Sequence, residues 1–503
     1  MHPYLQEKLM TPDEVAATIR DDEIIACSGF TLAGYPKAIP PAVAHHGKRL
    51  KERGESFGLT LYTGASVGDE LDGEWVRAGI MKRRLPYQSH PLLREKINAG
   101  IIEFMDYHLS TVPQHVRSGY LPKPTTAIVE AVDVTHDGKV YLSCSGGATA
   151  SYMLMADRIY IEWNRYFGES LKGFHDVYIP DDRMARRMIP IFDPGDRIGV
   201  PYVEVPLSKI AGIVETCLPD KGSEFKAADA ECHAIAQHIL DFLKHEARRG
   251  RLPQNSPYQS GVGNIANAVL ECMASDAEFK SINLYTEVVQ DSIFQLLDKG
   301  KLGVASTSAL AFSAAGQLRF KENIDSYRKH FIIRQQDITN SPEIIHRLGL
   351  IAMNTALEMD IFGNVNSTHV FGSQMMNGIG GSADFTRNAF LPIFMSPSTR
   401  KAGKISNVVP MVTHTDQSEH STQVFVTEQG LADLRGLSPA AKARLIIKKC
   451  AHPRYKDFLL EHLERHESQA PGQQIPLDLQ HAFDFHLNFL RSGDMLQSTV
   501  PCE

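Results

Sequence analysis

The segment SINLYTE (281–287) ends a run of apolar and β-branched residues in a carboxylate, Glu287. A carboxylate at the tip of a buried strand costs free energy unless it is paired or opens into a cleft. In its ionised form it could attack an acyl carbonyl without an activating base, because its reference pKa is about 4.3. From position alone, a nucleophile and a surface glutamate in a loop are equally good interpretations.

A glycine turn, SGVGN (260–264), lies before this segment and leads into a helix-like stretch. The backbone N–H groups of Gly261, Val262, Gly263 and Asn264 could hold a phosphate or a developing oxyanion. Taken alone, the motif is more typical of a tight turn that packs a helix against a strand.

A long segment with little helical periodicity, NVNSTHVFGSQMMNGIGGSADF (364–385), combines glycine pairs with several amide side chains, including that of Asn377. Glycine lets a ligand approach the backbone closely, here around Gly381. Loops of this length in compact proteins are often functional. We therefore favour a binding site over an ordinary loop.

Two shorter motifs carry polar groups that could contact a ligand. SPSTRKAGKIS (396–406) is a basic turn that contains Arg400, Lys401 and Lys404. It is either a solvated loop or a contact for an anionic ligand such as a phosphate. In TNSPE (339–343), Asn340 either caps a helix or donates hydrogen bonds to a carboxylate or thioester oxygen.

Two other groupings do not fit a catalytic site. HTDQSEHS (414–421) brings His414, Asp416, Glu419 and His420 close together, but the spacing matches no familiar metal motif, and we predict no metal site. Cys27 has no partner base visible in the sequence, so a buried core cysteine is favoured over a thiol nucleophile.

The elements that must position these groups follow an α/β pattern. Apolar runs typical of strands buried on both faces occur at 23–30, 59–66, 126–132, 158–163, 281–287, 331–338 and 423–430. Helix-like stretches lie between them, for example at 264–273 and at 438–450, where Ser438 and Pro439 are typical of a helix start. Because ligands bind beyond the carboxyl ends of strands in open α/β sheets, the polar turns lie in the expected site region.

Composition sets the limits of these interpretations. The chain has 503 residues, 43% apolar and 22% charged, as expected of a globular protein with two or three domains. Apolar periodicity lapses at 217–230, and we place the division between domains 1–222 and 223–503.

The net charge of −7 argues against a nucleic-acid-binding protein. Seven scattered cysteines favour free thiols, and without a secretory or membrane-spanning run we expect a cytoplasmic protein.

Together these motifs resemble the acetyl-CoA hydrolase/transferase family, and within it the bacterial succinyl-CoA:acetate and propionyl-CoA:succinate CoA-transferases. The resemblance runs from 28–40 to 451–459 and is carried by SGVGNIANAVLE, YTEVVQD, NSPEIIHRLG, IFGNVNSTHVFGSQMMNGIGGSADF, SPSTRKAGKIS and VFVTEQGLADLRGLSP. It implies two related open α/β domains of the ribose-phosphate-isomerase type, with the active site in the cleft between them. It also implies a homodimer.

The resemblance further implies a role for each motif. Glu287 attacks acyl-CoA to give an acyl-glutamyl anhydride and then a glutamyl-CoA thioester. Val262 and Gly381 donate backbone N–H groups to the oxyanion, Asn340 orients the Glu287 carboxylate, and Glu428 of TEQG lies near the acid site. Contacts to CoA come from Gly261, Val262, Gly263, Asn264, Asn377, Gly381 and Lys401. CoA is then a substrate, and no cofactor or metal is expected.

The sequence departs from the family pattern at two places. Ala383 stands where the family segment often has glycine in GGSGDF, which could tighten the loop. Lys221, within DKGSEF (220–225), stands near a position where we expect arginine, and lysine lacks the bidentate fork that holds a phosphate.

Three functions are compatible with these observations. The first is a CoA-transferase acting on small acids such as succinate, acetate and propionate, which we favour. The second is an acyl-CoA hydrolase in which water attacks the intermediate on Glu287. The third, a non-catalytic acyl-CoA-binding protein, is disfavoured because binding alone needs no nucleophile at a strand tip. A requirement for an added carboxylate separates the transferase from the hydrolase.

Overall fold

The computed structural model describes residues 3–181, 186–222, 224, 228–253, 255–469 and 472–497. Within these ranges, no helix is both long and apolar enough to cross a membrane. The first half of the chain forms a nine-stranded sheet flanked by helices. Its strands are β1 (Ile24–Cys27), β2 (Leu59–Tyr62), β3 (Met81–Leu85), β4 (Glu103–Phe104), β5 (Thr126–Val134), β6 (Lys139–Leu142), β7 (Arg158–Asn164), β8 (Val203–Glu204) and β9 (Ile210–Thr216). Its helices are α1 (Pro3–Gln6), α2 (Pro12–Ala16), α3 (Ile39–Glu52), α4 (Asp72–Arg77), α5 (Pro91–Asn98), α6 (Val112–Arg117) and α7 (Thr149–Met155).

The second half forms an eight-stranded sheet and four small sheets of two or three strands. The large sheet contains β10 (Tyr258–Ser260), β11 (Ile282–Tyr285), β13 (Leu302–Thr307), β15 (Phe331–Ile333), β16 (Ile351–Thr355), β21 (Leu391–Met395), β25 (Val424–Thr427) and β26 (Gly430–Asp433). The small sheets contain β12 (Val288–Val289), β14 (Ala309–Leu310), β17 (Glu358–Asp360), β18 (Val365–Asn366), β19 (His369–Val370), β20 (Gln374–Met375), β22 (Thr399–Arg400), β23 (Ile405–Ser406) and β24 (Val408–Val409). The helices are α8 (Ala230–Arg248), α9 (Asn264–Ser275), α10 (Ile293–Asp298), α11 (Ala314–Glu322), α12 (Ile324–Tyr327), α13 (Gln336–Thr339), α14 (Pro342–Arg347), α15 (Ser382–Asn388), α16 (Pro439–Cys450), α17 (Pro453–Gln469) and α18 (Asp484–Ser492).

Both large sheets are built in the same order. The parallel strands of the first run β4-β3-β2-β1-β5-β7-β9, and those of the second run β15-β13-β11-β10-β16-β21-β25. Counted along the chain, each reads 4-3-2-1-5-6-7. The first strand of each half therefore lies mid-sheet, at the topological switch point where α/β sheets bind ligands. The predicted architecture of two related α/β units is confirmed.

The second parallel strands of the two sheets end alike. β2 ends in Leu-Tyr and is followed by Thr and Gly64, whereas β11 ends in Leu-Tyr and is followed by Thr and Glu287. In each case the threonine N–H donates to the third strand of its own sheet, at the Leu85 carbonyl (3.2 Å) and the Ser306 carbonyl (2.9 Å). Gly64 thus occupies in the first sheet the position that Glu287 has in the second.

The predicted strands form because their runs are buried on both faces, as in β2, β21 and β25, which are buried throughout. The predicted strand at 331–338 is only half correct. β15 ends at Ile333, and the polar residues from Gln336 turn the chain into the one-turn helix α13. Ser438 has the extended backbone of an N-cap before α16, but its side chain makes no capping hydrogen bond.

Polar contacts join the segment after β9 to both halves. The Asp220 carboxylate accepts the Gly34 N–H at 3.1 Å and lies 2.7 Å from Nζ of buried Lys37, which also pairs with Glu130. The Asp220 backbone exchanges hydrogen bonds with the Gln317 side chain of α11 at 3.1 and 2.7 Å. The proposed division at 222/223 falls in this connection, where Ser223 and Phe225 lie outside the described residues.

Candidate active site

A cavity of about 390 Å³ lies where the carboxyl ends of the two large sheets face each other. The first half lines it with residues that follow β1, β2, β3 and β4, and the second half with residues at or beyond β10, β11 and β16 and in the loops that follow. The lining residues are Phe30, Thr31, Leu32, Ala65, Ser66, Tyr87, Ser89, Leu109, Gly261, Val262, Glu287, Val288, Asn354, Thr355, Ala356, Leu357, Ser367, Asn377, Gly378, Ile379, Gly380, Gly381, Ser382 and Arg400.

The backbone of Glu287 is fixed between β11 and β12. Its carbonyl accepts the N–H groups of Ser308 at 2.9 Å and Ala309 at 3.0 Å, and the Thr307 hydroxyl at 2.9 Å. These donors come from the segment that leads from β13 into β14. With its backbone held in this way, Glu287 projects a half-buried side chain into the cavity at a defined position.

Asn340 and Gly381 contact the carboxylate of Glu287 from two sides. Nδ2 of Asn340, which is fully buried at the end of α13, lies 2.5 Å from Oε1. On the other side, a Cβ atom built on Gly381 would lie only 2.1 Å from Oε1 and 2.5 Å from Oε2. Only glycine allows this close approach of the backbone to the carboxylate. The sequence-predicted Glu287, Asn340 and Gly381 therefore lie together.

This environment changes the acidity of Glu287. Burial raises the pKa of its carboxyl to about 8, and the negative charge of Asp384 adds to the rise. Hydrogen bonds from Asn340 and from the Gly381 amide act in the opposite direction and lower the pKa. A buried carboxylate with a raised pKa at the wall of a cleft is typical of a functional site, and its higher basicity favours nucleophilic attack.

The glycine turn follows β10, the strand next to β11 in the sheet, and Gly261 and Val262 line the cavity. Among the described residues no protein acceptor bonds the Val262 N–H, and the Val262 side chain is exposed. Gly263 adopts φ 121°, a conformation that favours glycine, and Asn264 opens helix α9. Neither Gly263 nor Asn264 lines the cavity.

The glycine-rich segment before α15 is held by the first half of the chain. Asn377 lines the cavity while its Nδ2 donates to the carbonyls of Ser367 (3.1 Å) and Gly378 (2.9 Å). The Ile379 N–H donates to both carboxylate oxygens of Asp106, at 3.0 and 2.9 Å. Sequence reasoning missed Asp106, because nothing in the residues around it indicates a partner 273 positions away.

The turn after β1 forms part of the wall opposite. Thr31 and Leu32 adopt φ 48° and 65°, and hydrogen bonds of 3.0 and 3.1 Å between Phe30 and Ala33 close the turn. Non-glycine residues in this conformation store backbone strain, which persists where the surrounding structure enforces it, often at functional sites. The predicted strand run at 23–30 ends at this turn, but the sequence did not indicate the conformation of the turn.

The basic turn contributes one residue to the cavity, and it is not the one predicted. Arg400 lines the cavity from β22, whereas Lys401 adopts φ 49° in the loop between β22 and β23. Its ammonium lies 4.9 Å from the centre of the Phe489 ring of α18. Arg400 is therefore the better-placed cation for a ligand in this structure.

Glu428 lies in the turn between β25 and β26 and does not line the cavity. Its carboxylate accepts the Ser398 N–H at 2.8 Å, the Ser398 hydroxyl and the Gln429 amide at 2.9 Å. Burial works against ionisation, but these hydrogen bonds prevail and lower the pKa of Glu428. The contact holds the segment that carries Arg400, two residues after Ser398.

The two departures from the family pattern have simple structural settings. Ala383 is buried in the first turn of α15, where helical backbone accepts alanine as well as glycine. Lys221 lies outside the cavity lining and pairs with Glu70 at 2.8 Å, with 70% of its side chain exposed.

The residues of the groupings set aside earlier do not line the cavity. Cys27 is completely buried, and burial raises the pKa of its thiol, as predicted for a core cysteine. His414 lies 3.3 Å from Asp416, whereas Glu419 pairs with Lys442 at 3.0 Å. In the described part of the chain, no three His, Cys, Asp or Glu side chains are placed to hold a metal ion.

Comparisons with known proteins agree with this geometry. Residues 2–215 match the N-terminal domain of acetyl-CoA hydrolase/transferase, and residues 316–463 match its C-terminal domain. The chain belongs to the acetyl-CoA hydrolase/transferase family. This family enzyme is 45% identical to the succinyl-CoA:acetate CoA-transferase of Clostridium kluyveri, over 98% of its own chain and 90% of the relative. It is 44% identical to the propanoyl-CoA:succinate CoA transferase of Escherichia coli, over 97% and 98%.

The family also contains hydrolases. The chain is 41% identical to an acetyl-CoA hydrolase of Neurospora crassa, over 98% of the chain and 96% of the relative. Among solved structures, RipA from Yersinia pestis is similar, with a TM-score of 0.69 at 21% identity, over 92% of this chain and 98% of that one. The 4-hydroxybutyrate CoA-transferase of Porphyromonas gingivalis has a TM-score of 0.61 at 20% identity, over the same shares. These structures share the fold of this family enzyme.

Proposed function

We propose that the protein is a CoA-transferase that moves CoA between small carboxylic acids, with succinyl-CoA as donor and acetate or propionate as acceptor, reversibly. The observation that carries the proposal is the Glu287 carboxylate, which opens into the cavity between the two halves while Asn340 and the Gly381 backbone hold it. The relatives named as transferases of these acids support the choice of substrates.

The proposed cycle begins when a Glu287 carboxylate oxygen attacks the thioester carbonyl of acyl-CoA and the CoA thiolate leaves. The thiolate then attacks the glutamyl carbonyl of the anhydride and releases the donor acid as a carboxylate. Glu287 now carries CoA as a thioester. The acceptor carboxylate attacks this thioester, and the expelled thiolate attacks the new acyl carbonyl, which returns free Glu287. No water is consumed and no electron is transferred, so the cycle needs no cofactor.

The surroundings of Glu287 suggest how the charged steps are stabilised. We assign the free N–H of Val262 and the N–H of Gly381 as donors to the oxyanion of each tetrahedral intermediate. The turn at the start of α9 and the Arg400 side chain suit the CoA phosphates. Glu428 acts indirectly in this proposal, by holding Ser398 in the segment that carries Arg400.

The deciding experiment follows the fate of CoA. The protein is incubated with succinyl-CoA, with and without acetate or propionate, and each CoA product is quantified by chromatography. We expect acetyl-CoA or propionyl-CoA to form only with the matching acid. Borohydride treatment of enzyme charged with acyl-CoA alone should reduce the thioester, and peptide mass mapping should place the change at Glu287.

A matched pair of variants controls this test. Glu287→Gln should abolish transfer, whereas Glu322→Gln, at the exposed end of α11, should keep wild-type activity. Free CoA formed at the same rate without an acceptor would reject the transferase and favour the hydrolase, an activity that the Neurospora relative is named for. Transfer that survives in Glu287→Gln would reject the assigned nucleophile.

A further inference from the structure

Asp384 is a buried carboxylate that the proposed chemistry does not use. It lies in the first turn of α15 and is 5% exposed. Its oxygens accept the Ser110 N–H at 3.0 Å, the Ser110 hydroxyl at 2.6 Å and Nδ2 of Asn340 at 3.3 Å. Nδ1 of His108 lies 3.9 Å away. A buried carboxylate needs such donors to remain ionised, and here the donors come from both halves of the chain.

The amide of Asn340 links Asp384 to Glu287. Its two N–H bonds point at two carboxylates, since Nδ2 donates to Glu287 at 2.5 Å and to Asp384 at 3.3 Å. Its Oδ1 accepts the Thr339 hydroxyl at 2.8 Å. With the amide rotated by half a turn, its oxygen would face both carboxylates and no N–H would reach Glu287. The charge of Asp384 therefore fixes which end of the amide meets Glu287.

We propose that Asp384 is a positioning residue for Glu287: it acts through Asn340, and Ser110 of the first half holds it in place. The inference rests on the proposed function of Glu287 as nucleophile. Two residues at the start of α15 then act on the Glu287 carboxylate. Gly381, just before the helix, lies against it directly, and Asp384 orients Asn340, its other partner.

The charge of Asp384 adds a second effect. Its negative charge disfavours the ionised form of Glu287, and burial acts in the same direction. Acylation removes the charge of Glu287, so the repulsion is relieved when the anhydride or the thioester forms. Asp384 is thereby expected to favour attack by Glu287 while making no contact with the substrate.

The test compares Asp384→Asn with wild type in two measurements. The first is the rate of thioester formation on Glu287 from succinyl-CoA, followed by mass spectrometry. The second is the titration of Glu287 in the unliganded enzyme, read as an infrared difference against Glu287→Gln. We expect the rate to fall about 10–100-fold, as for a misplaced reacting group. We also expect the titration midpoint to fall when Asp384→Asn is added to Asn340→Ala, because in that background only a like charge is removed.

Asp360→Asn is the matched control. Asp360 is equally buried but accepts hydrogen bonds from Phe362, Gly363 and Asn364 within its own turn. Its variant should lose stability and leave the Glu287 midpoint unchanged. Ser110→Ala should show a smaller rate loss in the same direction as Asp384→Asn, with the affinity for CoA within about twofold of wild type.

The outcomes separate this inference from the proposed function. A rate within twofold of wild type in Asp384→Asn, or an unchanged midpoint when it is added to Asn340→Ala, would overturn the positioning role. If wild-type enzyme forms no thioester yet the midpoint falls in the double variant, the link between the two carboxylates stands and the transferase proposal fails.

Discussion

Nδ2 of Asn340 lies 2.5 Å from Oε1 of Glu287, although the two residues are 53 positions apart in the chain. The contact joins the segments that follow β11 and β15, two strands of one sheet with β13 between them. It fixes the rotamer of a carboxylate that would otherwise be free to turn in the cavity. Together with the Gly381 backbone it leaves one face of the carboxylate open to a ligand. The behaviour of Glu287 should therefore depend on a few identifiable atoms.

Gly381→Ala should disable the enzyme without unfolding it. The added methyl would lie 2.1 Å from Oε1 of Glu287, so the carboxylate must move. A displacement of about 1 Å can cost about 100-fold in rate, and we expect at least that loss in kcat. Steady-state transfer assays and circular dichroism would measure both properties. Ala383→Gly, two residues on in α15, is the control and should keep kcat within about twofold. Wild-type kcat in Gly381→Ala would contradict the close packing.

The first half-reaction should depend on pH through Glu287. Only the ionised carboxylate attacks, and burial raises its pKa to about 8. The rate of thioester formation in the free enzyme should therefore rise from about pH 6, reach half of its limit near pH 8 and level off about one pH unit higher. Stopped-flow or quenched-flow measurements at limiting acyl-CoA would report this limb. A flat profile between pH 6 and 9 would mean that Glu287 is already ionised throughout.

Asn340→Ala should slow catalysis and move the pH profile upward. The Asn340 hydrogen bond lowers the pKa of Glu287, so its loss raises that pKa further. Removing a preorganised donor costs about 100-fold in kcat, and we expect a loss of this order with KM for acyl-CoA little changed. Adding Asp384→Asn to this variant should then move the profile in the opposite direction. Shifts of the same sign at both steps would indicate a general loss of structure instead.

Arg400→Gln and Lys401→Gln form a pair that tests which cation meets CoA. Arg400 lines the cavity, whereas Lys401 lies over the Phe489 ring. A hydrogen bond to a charged group contributes about 1.5–3 kcal/mol, so Arg400→Gln should raise KM for acyl-CoA about 10–100-fold. Lys401→Gln should change it by less than about twofold. The reverse ranking would return the CoA contact to Lys401, as the sequence predicted.

Lys37→Met should destabilise the protein through a buried cluster that does not line the cavity. Lys37 pairs with Glu130 and Asp220, and all three side chains are buried. Removing the cation leaves two buried carboxylates, at a cost of about 3–5 kcal/mol. Burial already raises the pKa of Glu130 to about 7, and without Lys37 it would rise further. The ionised carboxylates then oppose folding, so the cost should grow from pH 6 to pH 8.

Urea unfolding at the two pH values measures the effect of Lys37→Met. The double variant Lys37→Met with Glu130→Gln should recover part of the loss, because one of the two uncompensated charges is gone. A loss that is the same at both pH values, or that the second substitution deepens, would contradict the role assigned to the cluster.

The sequence predicted those parts of the molecule that depend on local pattern. Unbroken apolar runs predicted the main strands, and a strand-tip acid and a glycine-rich segment predicted Glu287 and Gly381, which both line the cavity. The sequence did not predict that Arg400, and not Lys401, lines the cavity, because φ 49° at Lys401 lies in the left-handed region, which sequence does not reveal at a non-glycine residue.

The partners of these residues could not be predicted. Ser110 and Asp384 are 274 positions apart, and Asp106 and Ile379 are 273 apart. Each pair meets only because the two sheets face each other across the cavity. A single sequence carries no record of which loops share an edge, so the residues that hold the glycine-rich segment became visible only in the folded chain.

The matching strand order of the two halves bears on how the chain evolved. Two sheets with one order, each with a second strand that ends in Leu-Tyr-Thr, are what duplication and fusion of an ancestral gene would leave behind. The two halves differ at the next residue, where the first has Gly64 and the second has Glu287. Under the proposed mechanism, one copy would supply the reactive acid and the other the opposing wall of the cavity.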